Sequence, residues 1–209
     1  INRQAFLEER FGEAGFQKVL QTLTPETAKL LRTASAVDWI PLKQLLEIDL
    51  SPLDTSSVTD MSDLFRDSLG LLAISLADLD TSHVTTMRSM CDGASSLRSL
   101  DLSGLDTSQV TDMSYLFDHC RSLESLDLSS FDTSSVTTMD YMFARCLSLE
   151  ALDLSGFDTS SVTTMYRMFD YCLNLRTLHL TGPEQALDGV ARAVLGVSIA
   201  DIKAALSQR

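Results

Sequence analysis

The sequence predicts a stacked α/β solenoid, with a parallel sheet of about six short strands on one face and short helices on the other. Three observations predict it. An Asp-Thr-Ser triplet begins at Asp54, Asp80, Asp106, Asp132 and Asp158, a constant interval of 26 residues. A Val follows each Asp four positions on, at Val58, Val84, Val110, Val136 and Val162, and a Met three positions after that, at Met61, Met87, Met113, Met139 and Met165. No insertion or deletion interrupts these steps, as stacking demands when each unit packs only against its neighbours.

Each unit has two halves. The first, as in Leu123, Leu126, Leu128 or Leu149, Leu152, Leu154, has the alternation of a short strand with its Leu side chains inward. Leu45, Ile48 and Leu50 occupy the same places at the start, and Leu175, Leu178 and Leu180 at the end, which makes six strands. The second half, as in Met139, Met142, Phe143 and Cys146, spaces apolar residues three and four apart, the signature of one or two helical turns. Between the halves, Asp-Thr-Ser-x-Val-Thr supplies side chains that bond nearby backbone and build turns and caps.

The period fails at both ends. Residues 1–44 place Phe6, Leu7, Phe11, Phe16, Val19, Leu20 and Leu23 on roughly one helical face, and Thr24-Pro25 opens a second helix. This section is expected to be a helical N-terminal cap. Residues 45–182 form the solenoid, five repeats plus a final strand. From Gly182-Pro183 onward, residues 183–209 offer Ala186, Val190, Ala193 and Val194 as one helix and Ser198 with Asp201 as a capping box, the expected helical C-terminal cap.

Charge narrows the partners. The formal net charge is -13, and residues 45–182 carry 21 acids against seven Arg. Such a surface repels phosphate backbones and anionic membranes, so neither nucleic acid nor a membrane surface is an expected partner. No apolar run approaches the roughly 20 residues that would span a bilayer. A basic or polar protein fits better; oligomeric state is left open.

Leu126 to Leu149, reading Leu-Asp-Leu-Ser-Ser-Phe-Asp-Thr-Ser-Ser-Val-Thr-Thr-Met-Asp-Tyr-Met-Phe-Ala-Arg-Cys-Leu-Ser-Leu, resembles the repeat of the BspA-type leucine-rich-repeat surface proteins of bacteria. The resemblance covers residues 45–180. It implies a leucine-rich-repeat solenoid, a cell-surface or secreted location, adhesion or protein binding, and no enzymatic activity. The chain departs from most leucine-rich repeats in one respect. Where they place an Asn after the strand, this sequence has Leu53, Leu79, Leu105, Phe131 and Phe157, so Asp, Thr and Ser must satisfy the turn instead.

Candidate residues follow from the columns. Cys120, Cys146 and Cys172 lie 26 residues apart and read as an interior column, with disulfide and metal ligation as the alternatives; zinc sites usually pair cysteines two to four residues apart. Unpaired cysteines suit a reducing cytoplasm, the alternative location. The column from Asp54 to Asp158 reads as turn and cap residues, with calcium binding as the alternative. On the outer face of the sheet, Asp49, Asp101, Asp127, Asp153 and His179 form an acidic comb, either a partner-binding face or a solvated one. Tyr115 and Tyr141 share a repeat position and form either a second contact patch or amphipathic covering. No catalytic, cofactor-binding or metal set is read: the three His, at 83, 119 and 179, share no column.

Cys91 takes the place held by Phe65, Phe117, Phe143 and Phe169, and Ala94 the place of the column cysteines. In a thermal melt, Cys91→Phe should be neutral or stabilising, whereas Phe143→Ala should cost about 3–5 kcal/mol by leaving a cavity. The reverse order would refute this register.

Overall fold

A computed structural model of the chain describes Leu50 and residues 53–179. Both expected helical caps, and the strand expected around Ile48, fall outside the described residues. Within them, the 26-residue units stack in parallel, and two bands of backbone hydrogen bonds join one unit to the next.

The first band is the sheet. Strand β1 (Ala73–Ser75) pairs in parallel with β2 (Ser99–Asp101), and β3 (Ala151–Asp153) with β4 (Thr177–His179), each residue opposite the one 26 positions on. Alternation works as expected: Ile74 and Leu152 are buried, while Ser75, Asp101 and Asp153 face outward. The single six-stranded sheet is not formed. Residues 125–127 make no strand, so two separate pairs replace it among the described residues. At this break the side chain of Ser130 donates to the Leu102 carbonyl, at 3.1 Å, a bond the glycines at the same repeat position, Gly104 and Gly156, cannot make.

The second band replaces the expected helices. No helix occurs among the described residues. The half beginning at each Met is a run of consecutive turns: Met90, Asp92 and Ala94 donate their amides to the carbonyls of Met87, Ser89 and Cys91, three residues back. The intervening amides leave the unit altogether. Met61, Asp63, Phe65 and Asp67 donate to the carbonyls of Thr86, Arg88, Met90 and Asp92 at 2.7–3.0 Å, and the same four bonds recur from each unit to the next as far as Thr164–Asp170.

Left-handed backbone makes this alternation possible. Positive φ occurs at Asp63 and Asp67, Ser89 and Gly93, Tyr115 and His119, Tyr141 and Arg145, and Arg167 and Tyr171, the same two positions of every unit. A helix sends every amide to the carbonyl four residues back; here the left-handed residues turn theirs along the stack. The apolar spacing of three and four that suggests a helix arises because the turns also bring Met87, Met90, Cys91 and Ala94 inward, all fully buried. Each non-glycine left-handed residue costs about 1–2 kcal/mol, a cost offset by the amide bonds it directs to the next unit.

Side-chain columns complete the joint. Phe117, Phe143 and Phe169 stack at 5.6–5.7 Å between ring centroids. The thiols of Cys120, Cys146 and Cys172 donate to the carbonyls of Cys91, Phe117 and Phe143. In place of the Asn of most leucine-rich repeats, Thr81 Oγ donates to the Asp106 carbonyl and accepts the Asp106 amide; Thr107 does the same with Asp132. At the two ends of the column, the hydroxyls of Thr55 and Thr159 are buried without a partner among the described residues.

Gly104 marks the tightest approach, since a Cβ there would lie 1.8 Å from the Ala77 carbonyl oxygen, whereas one on Gly156 would meet nothing within 4 Å. Gly104→Ala should therefore lower stability by about 1–3 kcal/mol through backbone displacement, and Gly156→Ala by less than about 0.5 kcal/mol. Denaturant unfolding of the two variants checks this; equal effects would contradict the packing.

Candidate functional site

The outer sheet positions form an acidic line whose side chains are held in place. Asp101, Asp127 and Asp153 are exposed, and each Oδ1 accepts the amide two residues on, from Ser103, Ser129 and Ser155, at 2.8–3.1 Å. These bonds, the backbone one first, hold the three carboxyls below the ordinary carboxylate range. Asp101 also accepts from Ser75 on the neighbouring strand at 3.0 Å, and Asp153 is the register partner of His179. Asp127 stands between these pairs, at the break in the sheet. Asp49 lies outside the described residues.

The Asp-Thr-Ser carboxylates act as turn residues. Ser56, Ser82, Ser108, Ser134 and Ser160 each donate an amide to the Asp two positions back, at 2.8–3.2 Å. None of these aspartates joins a convergent group of potential metal ligands among the described residues. The cysteines are unpaired; burial pushes the Cys91 thiol up to about 12 and Cys172 to about 11, so neither supplies thiolate at neutral pH.

Tyr115 and Tyr141 come together on the turn side. Their rings stack 4.9 Å apart and 9° from parallel, and Tyr166 meets Tyr141 edge-on at 5.6 Å. Arg88 covers Tyr115 at 5.0 Å and Arg167 covers Tyr166 at 5.2 Å. The patch thus has both aromatic surface and cation contacts, though its residues largely occupy one another.

A third constellation has no counterpart in the sequence-derived candidates. Asp118, with a side chain only 4% exposed, accepts two bonds from Arg145 at 3.0 and 3.1 Å, and lies 3.2 Å from His119 Nδ1. The same Nδ1 is 3.5 Å from Asp92, whose other oxygen is 3.3 Å from Arg66. Burial, then the charge of Asp118, pushes the Asp92 carboxyl up in spite of Arg66. Asp92 and His119 line an open cleft of about 350 Å³ together with Arg66, Asp67, Leu69, Gly93, Ser95 and Arg121. The cluster spans units, so linear motifs hide it. Adding 26 to each number discloses it: Asp92 falls on Asp118, and His119 on Arg145.

A family model described as Mycoplasma protein of unknown function, DUF285, matches residues 40–126 and 98–179. The chain belongs to the DUF285 family. A crystal structure of a T. pallidum leucine-rich-repeat protein is similar to this DUF285 chain at 22% identity, over 59% of this chain and 64% of that one, with a TM-score of 0.39. The chain thus spans less than two thirds of that protein. No curated protein matches it.

The lowered carboxyls of this DUF285 chain, at Asp80, Asp101, Asp106, Asp127, Asp132, Asp153 and Asp158, bind protons more weakly folded than unfolded. Their contribution is complete above the ordinary carboxylate value and is lost as pH falls through the folded values. Asp92, raised, works in the opposite sense. Melting temperature should hold from neutrality to about pH 5 and fall below about pH 4, less steeply in Asp132→Asn; a rise on acidification would contradict the assignment.

Proposed function

We propose that the chain is a non-enzymatic protein-binding or adhesion module that meets a basic or polar partner through the outer face of its sheet. The observation that carries this reading is the fixed orientation of Asp101, Asp127 and Asp153. Each is exposed, ionised and pinned by its own Ser amide, so little side-chain entropy is left to lose on association. Positions beside them are small, at Ala73, Ser99, Ser125 and Ala151, which leaves room for an extended chain to approach. An acidic face also steers basic partners in and excludes nucleic acid. The resemblance to BspA-type proteins favours the cell surface or secretion as the setting.

A second reading, a rigid spacer or oligomerisation element without a specific ligand, is favoured by the unbroken turn ladder, which would transmit stiffness whatever the face binds.

The test is binding of an immobilised Lys-rich extended peptide and a panel of extracellular-matrix proteins at moderate salt. Wild type should be retained, and Asp101, Asp127, Asp153→Asn should not; Asn still accepts the Ser amide, so the turns survive while the charge is lost. No binding, or binding indifferent to the substitutions, would favour the spacer.

A further inference from the structure

The strongest unassigned feature is the partly buried cluster that joins the turns of the second and third repeat units. Asp92, Asp118 and His119 each offer one donor atom, and all three lie within 4.8 Å of one another. We infer that Asp92, Asp118 and His119 form a site for one first-row divalent cation of the zinc class, clasping adjacent repeats.

Three observations converge on this. The first is geometric: His119 Nδ1 lies 3.2 Å from Asp118 and 3.5 Å from Asp92, separations close to those between neighbouring ligands around an ion held at about 2.0–2.2 Å. The second is charge. Arg66 is shared among Asp63, Asp67 and Asp92, and Arg145 serves Asp118. Four carboxylates against two guanidiniums leave two negative charges before His119 is counted, the charge a divalent ion neutralises. Arg121, which also lines the cleft, forms no ion pair with these groups among the described residues. The third is support and access. Arg66 holds the oxygen of Asp92 that faces away from His119, as hydrogen-bonded ligand carboxylates are held in metal sites, and the cleft gives Asp92 and His119 a path to solvent.

The donor set selects the ion. Imidazole nitrogen with carboxylate oxygen suits zinc, cobalt or nickel, whereas calcium asks for six or more oxygens.

The test is calorimetric titration of Zn²⁺ into the full chain at neutral pH in a non-chelating buffer, with melting temperature in parallel. One ion per chain should bind, melting temperature should rise and return with chelator, and excess Ca²⁺ should not compete. His119→Asn, which keeps a residue that accepts left-handed backbone, should weaken binding roughly tenfold or more, as should Asp92→Asn; His179→Gln should change nothing. Folding of each variant is read from its melt. Absence of stoichiometric zinc, binding that survives both substitutions, or loss with His179→Gln would overturn the assignment.

Discussion

The amide ladder of the turn column is the constraint on which the rest of the structure depends. Between successive units, four alternate amides cross to the next unit's carbonyls, and they do so at every joint among the described residues. The sheet supplies only three-residue strands and is interrupted at residues 125–127. Continuity of the stack through that interruption rests on the turn side, where isolated parallel bridges run from Asp60 through Thr86, Asp112 and Thr138 to Thr164.

This arrangement explains which side chains are tolerated where. Among the described residues, left-handed positions hold Asp, Ser, Tyr, His, Arg and Gly but no β-branched residue, consistent with the steric demand of positive φ. Inward positions between them hold Met, Leu, Phe and Cys, which fill the space between turns; Met and Cys adapt to gaps that stiffer side chains would not fit. Backbone groups are satisfied across units as well as within them. Thr85, Thr111, Thr137 and Thr163 each send both amide and hydroxyl to the carbonyl of the Thr 26 residues before.

The repeat period, the inward Leu positions and the turn role of Asp-Thr-Ser were legible in the sequence because each is a local property repeated five times. The turn column was not. Met139, Met142, Phe143 and Cys146 have helical spacing, and nothing in residue type alone announces left-handed backbone at Tyr141 and Arg145, which carry none of the usual Gly or Asn signal. The acidic comb was legible as alternation, but not the break at Asp127. The Asp92–Asp118–His119 cluster escaped for another reason: its members belong to different units, and His119 stands at a repeat position where every other unit holds a different residue.

The joints between units consist of backbone bonds and like-on-like columns, each spanning one full period. Genetically, this makes the coding repeat an exchangeable cassette: gain or loss of a whole unit in frame re-creates the same joint, with Thr hydroxyl again meeting Asp amide and Phe again stacking on Phe. A single inserted residue has no such outlet, because it would shift left-handed positions onto inward ones along the remainder of its unit. Unequal recombination could therefore lengthen or shorten the molecule in discrete steps, whereas a small insertion would break the joint in which it falls.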